Sequence, residues 1–424
     1  MSNPVSALTA LALAADQFES ISQRLPSGAF GFNDPVINEL SGMTYLQTNQ
    51  DALATARAEL EKDADLTPIL DAPGEENPMF SSPLVGGSRQ GFDGVMTSLL
   101  SSANKQLYVQ GIARTESSFT RAVLENYDEL KRALRGERIR VYVVRGIAGI
   151  KLDPSQKIST PWGTIRGVDT HDTHPVAFPG HSGPKTTALL VSPLLVPISI
   201  TRAPDSPPLP PDSKDLEEFV RVQILTPLVF ALASSQHDNP MAPILTFQTT
   251  IPPFFDNAGY SAPLSPNPFI PTSTITSSDS KRIEDLARTL YDNYHDSLQI
   301  ASIRVVSAIS QRLDKSDALI DAVTAWENLV GTRNETAYRV TAALTLLLEP
   351  DRDKRITLRK QLTEIYEVRS RVVHGATVDG EDIAKASETA IHIALTAMLE
   401  LYKRGGDWLS MKSSQRSERL ILGQ

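Results

Sequence analysis

The chain has 424 residues and no cysteine. Disulfides and thiolate metal sites are excluded, and a reducing, cytoplasmic compartment fits. No stretch approaches the roughly 18 consecutive apolar residues of a transmembrane helix, so no membrane partner is expected. Residues 1–16 lack the basic leader region of a signal peptide and read as a helix. An excess of positive charge is also missing. The formal net charge is -9, which argues against a surface coated for bulk nucleic-acid binding but leaves room for a local basic site. The Gly-rich stretch 85–94 lacks the G-K-[ST] ending of a phosphate loop and reads as a surface loop. Proline is nearly absent from the C-terminal third. Of 29 prolines, 21 lie between Pro154 and Pro271, and only Pro350 follows.

These distributions, with a length suited to two or three domains, predict an α+β multidomain chain. Residues 1–136 read as mainly helical, with helices near 5–24, 50–64, 91–103 and 114–135. In the last of these, Phe119, Val123, Tyr127, Leu130 and Leu134 share one face. Residues 137–276 read as a Pro-rich, β-containing sensor or regulatory domain. Its strands are expected near 138–145, 158–165, 188–201 and 244–251, its loops at 167–186 and 202–213, and one helix at 213–236 carrying Pro227. The first loop holds Asp169, His171, Asp172, His174 and His181. These residue types can bind zinc, but their spacing matches no motif with a mechanism, and they read as a solvated loop. Residues 277–405 read as a helical bundle with helices near 279–312, 315–331, 334–349, 353–374 and 381–404, joined by short connections. Residues 406–424 read as a polar tail.

The bundle's most informative stretch is 357–375, T-L-R-K-Q-L-T-E-I-Y-E-V-R-S-R-V-V-H-G. Leu358, Leu362, Ile365, Val372 and Val373 fall on one stripe of a helical wheel, and Arg369 falls inside it. A guanidinium in an apolar stripe needs a partner. Glu327 or Glu335 on the preceding segment would serve, in an ion pair that only fixes packing. Gly375 supplies a C-cap, which places His374 in the last turn. Between residues 352 and 371 there are seven Lys or Arg against three acidic residues, a local basic strip that also reads as a solvated face with pairs such as Lys360–Glu364. Trp326 and Tyr338 read as core residues, and His295 and His392 as packing or surface positions.

The stretch from Trp326 to Leu348, W-E-N-L-V-G-T-R-N-E-T-A-Y-R-V-T-A-A-L-T-L-L-L, followed by I-Y-E-V-R-S-R-V-V-H-G at 365–375, resembles the HEPN superfamily, and within it the Apea-like branch. The resemblance covers about 280–405, a third of the chain. Its motif, R-x4–6-H, is matched by Arg369 and His374 with four residues between. Ser370 stands where many nuclease members carry Asn, Asp or His. The resemblance implies an all-helical bundle and metal-independent RNA cleavage without a cofactor, as a toxin or an anti-phage effector of abortive infection. It also implies a homodimer in which two motifs share a cleft. Such chemistry uses the RNA 2′-hydroxyl as nucleophile and needs an acid/base and a cation, roles that suit His374 and Arg369. Arg371, Arg359 and Lys360 are the expected phosphate contacts. Ser370, Glu335 and Glu327 are the expected supporting residues. The parts before about 275 would bind a regulatory or phage-derived trigger. The alternative is a non-catalytic dimerisation or nucleotide- or RNA-binding module. On an ideal helix, five residues set Arg369 and His374 about 140° apart. Sharing one phosphate therefore requires unwinding before His374, a long reach by Arg369, or a second copy.

Overall fold

The fold comes from a computed structural model that describes residues 6, 8–10, 50–70, 77–82, 86–113, 115–153, 155–168, 186–201, 224–234, 244–254, 260–261, 272–293, 295–332 and 336–423. The loop bearing the histidine cluster and most of the 213–236 helix lie outside these residues.

The first half holds helix α1 (Gln50–Leu60), strands β1 (Met79–Ser82) and β2 (Gly86–Arg89), then helices α2 (Phe92–Val109) and α3 (Glu116–Leu134). The sheet-forming region follows with β3 (Ile139–Ala148), β4 (Ile150–Lys151), β5 (Lys157–Thr160), β6 (Gly163–Gly167), β7 (Ala188–Val196), β8 (Ser199–Thr201), helix α4 (Thr226–Ser234), β9 (Ile244–Ile251), β10 (Tyr260–Ser261) and β11 (Ser273–Thr274). The last third is helical: α5 (Ser277–Asp292), α6 (Gln299–Ser310), α7 (Lys315–Val330), α8 (Thr336–Leu348), α9 (Arg352–Val373), α10 (Gly380–Arg404), α11 (Gly406–Ser410) and α12 (Ser413–Leu422). The fold is α+β, with a β-sheet middle and a helical C-terminal region. Among the described residues no helix is long and apolar enough to cross a membrane.

Several elements differ from expectation, each for a local reason. The stretch read as one strand over 158–165 is the β5–β6 hairpin, turned at Pro161 and Trp162. The stretch 188–201 is broken after Val196, where Pro197 has no N–H to continue the ladder, and β8 leaves to pair with β1 in another sheet. The Gly-rich stretch is no free loop: Gly86–Arg89 pairs with β1, and Gly91 is the N-cap of α2. The helix expected over 279–312 is two, because Asn293 ends the first and the His295 side chain accepts from the Ser297 N–H to start a new turn.

The main sheet has the order β10-β9-β3-β7-β6-β5, and each of these pairs is antiparallel. Alternate residues of β3 go to opposite faces. On one face Ile139, Val141 and Val143 join the core made by α2 and α3 and Ile147 joins a second core shared with the helical bundle, while Val144 on the other face joins a smaller cluster with Leu189, Val191, Phe247 and Ile251. Packed side chains therefore cross the sequence boundaries at 136/137 and 276/277. The edge strand β5 is covered by α5, where the Ser159 N–H donates to Glu284 Oε1 at 2.8 Å. Arg166 and Lys157 close the C-terminal end of α2. The Arg166 guanidinium donates to the Val109 and Tyr108 carbonyls (2.8 and 3.2 Å), and the Lys157 ammonium donates to those of Gln110 and Gly111 (2.9 and 3.0 Å).

Among the described residues two arginines are entirely buried. Arg145 lies on β3 between the two cores. Its Nε donates to Gln248 Oε1 at 2.8 Å, its Nη1 reaches Ser192 Oγ at 3.5 Å, and its Nη2 has no partner. Desolvation pushes its pKa down to about 10, so it remains a cation at neutral pH. Arg416 lies on α12, in the stretch expected to be a polar tail. Its guanidinium donates to the carbonyls of Leu329 (2.7 Å), Met411 (2.7 Å), Asn328 (3.3 Å) and Trp408 (3.3 Å). The end of the chain is thus clamped onto the C-terminal carbonyls of α7, with Leu409 and Leu420 buried beside it.

Arg416→Ala strips four buried carbonyls of their donor. It is expected to lower unfolding free energy by roughly 3 kcal/mol, and a chain ending at residue 405 should lose at least as much; urea denaturation measures both. Arg145→Met is expected to leave the thermal midpoint unchanged or raised, since an apolar isostere avoids burying an uncompensated charge. A fall of many degrees in a melting experiment would contradict this.

Candidate functional site

Helix α9 carries both residues of the sequence motif. Asp351 caps its start, accepting from the Asp353 N–H at 2.9 Å. Its end is a Schellman turn. The Gly375 N–H donates to the Val372 carbonyl and the Ala376 N–H to that of Arg371, with Gly375 at φ +71°. A side chain at Gly375 would force this left-handed conformation on an L-residue, so the glycine fixes where the helix stops.

The apolar stripe read from the sequence holds for the first half of the helix only. Leu362 and Ile365 are buried, and Leu358, Tyr366 and Val368 pack against the core from its edge. Toward the end the helix rises out of the core: Val372 is half-buried and Val373 is 48% exposed. Arg369 sits at this transition. It is half-buried, and its Nε is shut off from solvent with no hydrogen-bond partner. Its guanidinium lies 5.9 Å from the centroid of the Tyr366 ring, one helical turn back.

The expected ion pair between Glu327 and Arg369 does not form. Glu327 accepts instead from the Tyr366 hydroxyl. Burial and the Glu327 carboxylate push the Tyr366 pKa up, against a smaller opposing pull from Arg369. Glu335, the other expected partner, lies outside the described residues. Among the described residues Arg369 has no carboxylate within salt-bridge distance.

His374 is exposed and is the C-cap of α9, with φ -88° and ψ 9°. Its N–H still donates to the Ser370 carbonyl at 3.1 Å. The helix therefore does not unwind before His374, and the angular separation from Arg369 persists. Ser370 is half-buried and Arg371 is exposed.

The expected phosphate contacts lie further back. Arg359 is half-buried, with its guanidinium 4.6 Å from the centroid of the Tyr338 ring. Tyr338 was expected in the core and is instead 61% exposed, whereas Trp326 is fully buried and donates to the Ala390 carbonyl at 3.0 Å. Helical phase separates these two: Trp326 lies on the inner side of α7, while Tyr338 lies in the first turn of α8 on its outer side. Lys360 is exposed and 3.9 Å from Glu364. A surface hollow of about 520 Å³ runs along the outer side of α9, lined by Ile356, Arg359, Lys360, Thr363, Glu364 and Glu367.

Sequence reasoning missed Tyr366 and misplaced Tyr338. For Tyr366 a signal existed, because a tyrosine three residues before an arginine on a helix lies on the same face. No family model, curated protein or solved structure matches the chain.

Tyr366→Phe keeps the ring and removes the hydroxyl that Glu327 accepts from. It is expected to cost about 2 kcal/mol, as for hydrogen bonds to a charged group. The folded phenol keeps its proton beyond about pH 10, where the unfolded chain ionises. The contribution of this bond is complete below that pH and declines above it. Urea midpoints measured from pH 7 to pH 11 should fall less steeply in the variant than in the wild type.

Proposed function

We propose that the protein is a metal-independent endoribonuclease of HEPN-like type, acting as a homodimer in the cytoplasm as a toxin or an anti-phage defence effector. The observation that carries this reading is the state of Arg369. The residue is half-buried where α9 leaves the core, five residues before His374, and no carboxylate among the described residues neutralises its guanidinium. An arginine kept only for packing would be expected to meet Glu327, which is occupied by Tyr366.

In this reading a His374 imidazole takes the proton of the ribose 2′-hydroxyl. The 2′-oxygen attacks the adjacent phosphorus, and Arg369 stabilises the charge that develops on the phosphorane oxygens. The 5′-oxygen leaves with a proton from an acid on the other side of the scissile bond. The products are a 2′,3′-cyclic phosphate and a free 5′-hydroxyl. His374 of a second copy suits the acid role, because the regular end of α9 keeps Arg369 and His374 of one copy on different sides. Arg371 extends the cationic surface at the helix end. The residues before about 275 act as the sensor or partner-binding part.

Incubation of a mixed tRNA and mRNA pool with EDTA should give cleavage by the wild type with cyclic-phosphate ends. His374→Ala and Arg369→Ala should each lose at least about a hundredfold in rate while remaining folded. No cleavage by the wild type under any dimer-forming condition, with unfolding of Arg369→Ala, would instead support a non-catalytic dimerisation or nucleotide-binding module.

A further inference from the structure

We propose that the outer face of α9, where Arg359 joins the hollow it lines with Ile356 to the neighbouring Tyr338 ring, is a nucleobase-binding subsite for single-stranded RNA. The inference rests on the ribonuclease reading above and adds to it what the substrate must look like. Three observations lead to it.

The first is an exposed aromatic held in place. Tyr338 is 61% exposed, yet its ring is braced by the Arg359 guanidinium at 4.6 Å. Both groups are planar π surfaces of the kind on which unpaired bases stack. The second is apolar area left in water. Ile356 is 76% exposed, the most exposed of the chain's large hydrophobic residues among those described, and it lines the same hollow as Arg359. A base can cover such a side chain, whereas a phosphate cannot. The third is the sign of the charge. Glu364 and Glu367 line the hollow together with Arg359 and Lys360. Two carboxylates repel a phosphate backbone, but they can accept from the amino edges of bases. Arg359 and Lys360 remain at the rim for the backbone.

Position gives the subsite a place on the strand. Arg359 and Arg369 are ten residues apart on one continuous helix, a rise of about 15 Å. That equals roughly four stacked nucleotides at about 3.4 Å each. A base stacked at Tyr338 would thus lie a few nucleotides from the phosphate held by Arg369. A duplex keeps its bases stacked inside and offers the hollow none, so the subsite selects unpaired RNA.

The test uses the full chain with His374→Ala, so that bound RNA is not cut. Fluorescence anisotropy measures affinity for an end-labelled, mixed-sequence single strand of about 12 nucleotides and for its duplex. The proposal expects the single strand to bind more tightly. Adding Tyr338→Ala should weaken single-strand binding about tenfold, and Tyr338→Phe should restore it, since stacking needs the ring and not the hydroxyl. Because Tyr338 is mostly in solvent, neither change should shift the melting temperature, which is measured alongside. Undiminished affinity in Tyr338→Ala, or equal affinity for duplex, would overturn the subsite and leave the Arg369–His374 reading standing. No RNA binding at all by the His374→Ala chain would overturn both.

Discussion

The carbonyls at the C-terminal end of α7 need donors, and Arg416 supplies them from more than eighty residues away. That single guanidinium ties the end of the chain to the middle of the bundle. It also reaches the candidate site. The carbonyls it holds belong to Asn328 and Leu329, and the residue just before them is Glu327. Glu327 takes the Tyr366 hydroxyl, and the Tyr366 ring lies beneath the Arg369 guanidinium. The position of the motif arginine is therefore set by a chain of contacts that starts in the last helix. Cutting that chain at its far end would loosen Arg369 without touching it.

The sheet is the other organising element, and it buries one charged residue between its two cores. Strand β3 contributes to both cores on the same face, with Val143 in one and Ile147 in the other. Arg145 stands between them, at the point where neither core closes fully over an apolar side chain. Gln248 and Ser192 on the neighbouring strands satisfy part of its guanidinium. A partly satisfied buried cation is expensive, and here it falls between the core of the N-terminal helices and that of the bundle.

Much of this was legible in the residues. The proline distribution located the sheet region, β9 falls on the expected 244–251, and α9 begins and ends within a residue of its reading: Gly375 is a strong local signal for the end, while the start is capped by Asp351, two residues before the expected first residue. Other features depend on partners that no local pattern names. Arg416 in a polar-looking stretch becomes the anchor of the C-terminal helix because distant carbonyls are waiting for it. The wheel placed Arg369 in an apolar stripe correctly, but it could not show that the helix climbs out of the core after Ile365. Tyr338 was read as core from its residue type, which says nothing about the side of α8 it occupies. Glu327 was paired with the wrong donor for a similar reason: Tyr366, one turn before Arg369, takes it instead.

The regular end of α9 narrows how the proposed chemistry can work. With the His374 N–H still bonded to Ser370, no local unwinding turns the imidazole toward the guanidinium of its own copy. If catalysis needs both at one phosphate, either Arg369 reaches around the helix or the two come from different copies, and in the second case a lone chain is an incomplete site. Such an arrangement answers the problem of restraint that any RNA-cutting toxin poses. In the proposed dimer, activity would rise with the square of concentration at low occupancy, and an event that merely brings copies together would be a sufficient trigger. Arg369 has a buried Nε without a hydrogen-bond partner, and no carboxylate among the described residues pairs with its guanidinium, which is the state that an anion-binding role in the proposed chemistry requires.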